Sequence, residues 1–217
     1  AVPLIFDAGG VDVARARGMA GVSAVLTADD VKDLGGLPCL FTLPDDPFTA
    51  PPYPILARNV VRHVGDAVAF VVAETVEQAR DAIEAIVVDW TPLPAVAGLV
   101  NAVKKGAPQV WPDHPGNVLF DVGIGDKKAT EAAFAKAHAV AEVSIVNPRV
   151  ITNFMETRAA VAEYDAKRDH LTLTIGSQGS HRLREIIGGM VLKMPLEKMR
   201  VICPDVGGGF GTKLFPY

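Results

Sequence analysis

The sequence predicts an α+β protein in two pieces, residues 1–115 and 116–217. Three observations carry this. An apolar run at 67–73, a helical stripe at 76–86 and a second run at 87–90 make a strand–helix–strand unit. Alternating runs at 159–163 and 171–175 flank Asp165-Ala166-Lys167-Arg168-Asp169, which reads as a β-hairpin with a five-residue loop. Between the pieces, residues 101–118 hold Gly106, Pro108, Pro112, Pro115 and Gly116, the composition of a linker.

Taken in order, Val22-Ser23-Ala24-Val25-Leu26 is a short strand. Thr27 then offers an N-cap oxygen to a brief helix with Asp29 and Asp30 in its first turn, and Gly35-Gly36 stops it. Residues 37–58 are proline-rich, including Pro51-Pro52, and predict an extended loop. Ala67 to Ala73 is continuously apolar, so a buried strand is expected. Thr75 and Gln78 form a capping box, and Val76, Ala79, Ile83 and Ile86 give one helical stripe. Val87-Val88-Asp89-Trp90 is the next strand, closed by Thr91-Pro92-Leu93-Pro94. An alanine-rich helix near 128–138 and a strand near 139–146 follow. Leu183, Ile186, Ile187, Met190 and Val191 form an i, i+3, i+4, i+7, i+8 helix face. Arg200-Val201-Ile202-Cys203 is a strand feeding a glycine cluster.

The 217 residues are 49% hydrophobic and 21% charged, with net charge -4. Such a chain has no overall electrostatic reason to bind nucleic acid or an anionic membrane. No apolar run approaches the roughly 18 residues of a membrane helix, and no secretory signal is present. Cys39 and Cys203 lie far apart and outside any CxxC, so iron–sulfur and structural zinc sites are not encoded. Two free thiols fit a reducing cytoplasm, and both also read as buried small apolar residues. The chain opens at Ala1 and stops at Tyr217, close behind a glycine loop that needs following structure to hold it. It therefore reads as an excerpt of a longer protein.

Asp205-Val206-Gly207-Gly208-Gly209-Phe210-Gly211-Thr212-Lys213 is the most informative stretch. Its backbone can bring several N–H groups against an anion or a flat heterocycle. A P-loop needs glycine before its lysine and Ser or Thr after it; Thr212 and Leu214 stand there instead. A dinucleotide fingerprint from Gly207 needs glycine where Thr212 stands. A tight turn without ligand remains open on composition alone.

Val206 to Lys213 resembles the molybdopterin-contacting loop of molybdenum hydroxylase large subunits, the carbon monoxide dehydrogenase, aldehyde oxidase and xanthine dehydrogenase family. Ser177-Gln178-Gly179-Ser180-His181-Arg182-Leu183-Arg184 resembles the family loop whose glutamine approaches the metal. Asn153 to Ala160 with Glu163-Tyr164-Asp165 resembles the opening of the cofactor domain. Val64 to Ala69 and Val88 to Pro94 resemble the preceding α/β hammerhead domain. Phe154, Thr157 and Ser180 replace common prolines, and residues 1–10 do not look like the usual opening strands, which leaves that start altered or missing. Leu214 stands where purine-oxidising members carry a glutamate, which favours aldehyde or carbon monoxide dehydrogenase-like members.

The resemblance implies a hammerhead domain over 1–115 and the first part of a molybdenum-cofactor-binding domain over 116–217. It implies molybdenum held by the pterin, in cytosine dinucleotide form, with no protein metal ligands. Gln178 would donate to a molybdenum oxo ligand, and Gly208, Gly209, Phe210 and Gly211 would contact the cofactor, Gln178 and Phe210 lying nearest the metal. Gln178 alternatively caps the 181–191 helix. His181, Arg182, Arg184 and Lys213 are weaker candidates, the last three for a pterin phosphate, and Glu156 with Arg158 reads as a structural ion pair. The enzyme implied oxidises or hydroxylates a small carbon substrate with oxygen from water, in the cytoplasm. Its electrons leave through [2Fe-2S] clusters and FAD on partner subunits, in a dimer of heterotrimers. The family's glutamate base falls in a later segment, so the excerpt alone is expected to be inactive. Purine or N-heterocycle hydroxylation and a cofactor-free assembly scaffold are the alternatives.

Overall fold

Apolar runs distant in sequence pair into small antiparallel sheets, because each strand needs a partner for its backbone groups. The computed structural model describes residues 5–40, 50–147 and 150–216. In the first piece, β1 (Ile5–Asp12) lies between β3 (Val60–Val61) and β5 (Val87–Leu93), antiparallel to both. Although residues 1–10 do not look like the usual opening strands, a strand is present from Ile5 and occupies the middle of its sheet. A second sheet pairs β2 (Val22–Thr27) with β4 (Ala69–Ala73). Two helices, α1 (Ala14–Arg17) and α2 (Val76–Glu84), pack on it. Ala16 and Ala82 are fully buried there beside Val13, Val25 and Ala85, so the helices meet through methyl-sized side chains.

The capping box starts α2 as the sequence predicts: Gln78 N–H donates to Thr75 Oγ1 at 3.2 Å and Thr75 N–H to Gln78 Oε1 at 3.0 Å. The buried face of α2 differs. Val76 and Ile83 point to solvent, while Ala82 and Ala85 face the core. The apolar run of β4 is only half-buried, with Phe70 58% and Val72 41% exposed. In a two-stranded sheet one face is left uncovered, and alternation along the strand puts these residues on it. The brief helix expected after Thr27 is a series of turns. Asp30 accepts from Thr27 N at 2.7 Å and Oγ1 at 2.9 Å and from Arg17 Nη2 at 3.0 Å. That carboxylate reaches back and ties a turn instead of lying in a helix. The proline-rich stretch has no helix or strand among its described residues, and residues 41–49 of it lie outside them.

The stretch read as a linker opens with α3 (Leu99–Ala102) and closes around Asn117, whose side chain donates to Ala102 O and Pro108 O, each at 2.9 Å. In the second piece α4 (Lys127–Ala135) is capped by Asp126, which accepts from Ala129 N at 2.9 Å. The strand expected near 139–146 is absent: Val140, Val143, Ile145 and Val146 are exposed, and no strand among the described residues pairs with them. Alternation supplies a pattern, but a strand also requires a ladder partner.

The hairpin forms as β6 (Ala160–Asp165) and β7 (His170–Ile175), and β8 (Met199–Ile202) adds parallel to β7. The helix between them starts as α5 (Ser180–Leu183) and continues as a π-helix over 184–191. The wider turn shifts the apolar face. Leu183, Ile186, Gly188 and Val191 are buried on the side of β8, where Met199 approaches Gly188, whereas Met190 turns outward. Neither cysteine is fully buried: Cys39 is exposed and Cys203 half-exposed.

Two hydrogen bonds fasten the 33–35 turn to the end of the π-helix. Gly35 N–H donates to Val191 O at 2.7 Å, and Lys193 Nζ to Asp33 O at 2.7 Å. A Cβ on Gly35 would lie 1.9 Å from Met190 O. Gly35→Ala is therefore expected to cost about 1–3 kcal/mol in urea denaturation, as overpacking does. Gly123→Ala, where a Cβ meets nothing within 4 Å, should stay within about 0.5 kcal/mol of the parent.

Candidate functional site

β8 delivers the chain to the glycine cluster. Cys203 follows it directly and fastens the neighbouring loop: Ser177 N–H donates to Cys203 Sγ at 3.3 Å, and the thiol donates to Ser177 O at 3.2 Å. This places Gln178 beside the cluster. Gln178 N–H donates to Lys213 O at 3.2 Å, and its Oε1 accepts from Gly211 N at 2.9 Å. The Gly211 N–H requires an acceptor, so Oε1 is the bound end of the amide and Nε2 the outward donor. Gln178 does not cap α5, whose N-cap is Gly179 without a side-chain bond.

Gly209 is buried against this amide. A Cβ there would stand 2.6 Å from Gln178 Oε1. Gly208 has φ +95, and a Cβ on it would meet Phe154 Cβ at 3.1 Å. Phe210 has φ 47 and is 70% exposed, and Gly211 follows in the left-handed region at φ 88. The loop thus bulges outward with Phe210 at its tip. The N–H groups of Gly208, Gly209 and Phe210 find no acceptor among the described residues. Together with Gln178 Nε2 they form a set of donors that fits an acceptor-rich group, as a nest of backbone amides does.

The base of the loop is held by a segment that the sequence assigned otherwise. Glu156 binds Gly207 twice: its N–H donates to Gly207 O at 3.2 Å, and Oε2 accepts from Gly207 N at 3.0 Å. The same Oε2 accepts from Lys213 Nζ. Lys213 is only 2% exposed and lies 4.6 Å from the Phe154 ring centroid, so it cannot reach a phosphate outside. The expected Glu156–Arg158 pair is replaced by Glu156–Lys213. Arg158 instead donates to the carbonyls of Thr212 and, at 3.2 Å, Phe215. A separation of 57 residues hid this pair, since sequence reading matched Glu156 with its neighbour. His181 and Arg182 are exposed, and His181 and Arg184 line a separate cleft with His170 and Arg200.

The Lys213 hydrogen bond, followed by the Gly207 N–H, holds the Glu156 carboxyl below the ordinary glutamate range, against the opposing effect of burial. A folded pKa below the unfolded one gives stability that is present above about pH 4.3 and lost as pH falls through the folded value. Urea unfolding measured between about pH 3 and 7 should show this loss. Glu156→Gln should be less stable at neutral pH and lose less on acidification; an acid slope equal to the parent's would remove Glu156 from the balance.

Comparison with known proteins matches two domain models in order along the chain. Residues 7–94 match the aldehyde oxidase and xanthine dehydrogenase a/b hammerhead domain, and residues 110–217 match the molybdopterin cofactor-binding domain. The chain is 36% identical to the carbon monoxide dehydrogenase large chain of Hydrogenophaga pseudoflava over 93% of its own length and 26% of that protein's. It is 32% identical to the nicotine 6-hydroxylase large subunit of Paenarthrobacter nicotinovorans, over 95% of this chain and 25% of the other. The solved structure of reconstituted CO dehydrogenase from Oligotropha carboxidovorans superposes with a TM-score of 0.87 at 33% identity, covering 98% of this chain and 27% of that one. The chain thus spans about a quarter of the length of these relatives. No helix among the described residues is long and apolar enough to cross a membrane. With both domain models matched in order and the fold shared, the chain belongs to the molybdopterin-binding aldehyde oxidase and xanthine dehydrogenase family.

Proposed function

We propose that Gln178, Gly208, Gly209, Phe210 and Gly211 hold a molybdenum–pterin cofactor in the large subunit of an oxidoreductase acting on a small carbon substrate, carbon monoxide or an aldehyde. The observation that carries this is the Gln178 amide, bound through Oε1 to Gly211 beside three loop N–H groups that have no acceptor among the described residues. The bound cofactor supplies two-electron oxidation with oxygen drawn from water. Gln178 Nε2 donates to an acceptor of the cofactor, its angle fixed by the Gly211 bond at Oε1. The N–H groups of Gly208, Gly209 and Phe210 take further acceptors, Gly211 sets the left-handed exit of the loop, and the Phe210 ring shields the group from water. Leu214 supports a small substrate over a purine, since an apolar side chain offers no hydrogen bond to a heterocycle. The two segments divide near residue 115. The cofactor is in cytosine dinucleotide form, FAD and [2Fe-2S] clusters are carried by partner subunits in a dimer of heterotrimers, and the enzyme works in the cytoplasm.

Molybdenum by plasma spectrometry and oxidised-pterin fluorescence on the full-length parent should both be near one per chain; a folded parent with neither would overturn the proposal. Gln178→Ala should lower turnover by about 10–100-fold, the usual cost of an outer-shell partner. Gly209→Ala should act in the same direction, because its methyl displaces the Gln178 amide.

A further inference from the structure

We infer that Glu156 and Lys213 form a positioning clamp that sets how firmly the glycine loop holds its ligand. The inference rests on the proposed cofactor site. Glu156 grips Gly207 through both its N–H and its carboxylate, at the entry of the loop. The same carboxylate oxygen takes the ammonium of Lys213, at the exit. One side chain therefore closes the base of the loop across residues 207 and 213. Between these points lie the open donors of Gly208, Gly209 and Phe210, none of them used by the clamp.

The arrangement makes no sense for Lys213 as a ligand contact. Its ammonium faces the carboxylate and the Phe154 ring and is shut off from solvent. Phe154 also packs against Gly208. A buried ammonium has no alternative solvation, so it holds its carboxylate more firmly than an exposed lysine would. Gln178 N–H and the Arg158 guanidinium bind the carbonyls of Lys213, Thr212 and Phe215, which extends the hold on the exit side. Removing the Glu156 charge frees the loop ends while leaving every proposed ligand donor in place.

The test uses the full-length parent, with Glu156→Gln compared with Gly35→Ala, a destabilised variant distant from the loop in sequence. The first readout needs no cofactor: hydrogen exchange of the 206–214 amides in the pterin-free parent. The expected result is a rise of at least about tenfold in Glu156→Gln and none in Gly35→Ala, the local opening of a released segment. The second readout is pterin lost on dialysis, expected to be about tenfold faster in Glu156→Gln than in Gly35→Ala. Equal exchange in parent and Glu156→Gln, or equal pterin loss in the two variants, would overturn the clamp. A wild-type parent without pterin would instead refute the proposed cofactor site, and the exchange readout would still decide the clamp.

Discussion

The ammonium of Lys213, buried against Glu156 beneath the glycine loop, constrains the rest of the site. Desolvating such a charge is costly, and the cost is offset only with the carboxylate in place. The carboxylate in turn binds Gly207, so the strand end after β8, the loop and the segment before β6 hold one geometry. Charge satisfaction and loop shape are here the same requirement. The glycines follow from it. A loop drawn this close to Glu156 and Gln178 leaves no room for Cβ atoms at residues 207 and 209.

The packing around this centre uses the same economy of volume. α1 and α2 approach the first small sheet through Ala16 and Ala82, and Gly35 lets the backbone after β2 rest on the end of the π-helix. α5 and that helix pack against β8, which pairs with β7, and the two strands lead into the glycine cluster and the Gln178 loop.

Local signals are legible in the sequence wherever the determining partners are neighbours. Thr75 with Gln78 and the 160–175 hairpin depend on residues a few positions apart, and both form. Errors arose where the decision lay elsewhere in the chain. Residues 139–146 alternate correctly but have no ladder partner among the described residues. Val76 and Ile83 have helical spacing, yet tight packing against α1 selected alanines as the buried face. Lys213 appeared as a surface cation because nothing in its neighbourhood discloses Glu156, 57 residues earlier. The glycine cluster and Gln178 were legible as a site only through family resemblance; spacing alone left a plain turn open.

The proposed cofactor site draws its support from the groups beside the glycines. A turn without ligand would use its own N–H groups, as Thr212 does by donating to Gly209 O at 2.9 Å. Three successive donors left open beside an amide whose oxygen is already taken make an arrangement with a direction: acceptors belong on that side. Phe210 adds to this, for its ring is 70% exposed although its backbone is held in the left-handed region at φ 47. Strain of this kind persists when the surrounding fixed points determine it, and here they are Gly207, Gly211 and Lys213, bound by Glu156 and Gln178. The loop is held by its ends and offers its middle, the geometry a protein needs to orient a cofactor whose metal it does not itself ligate.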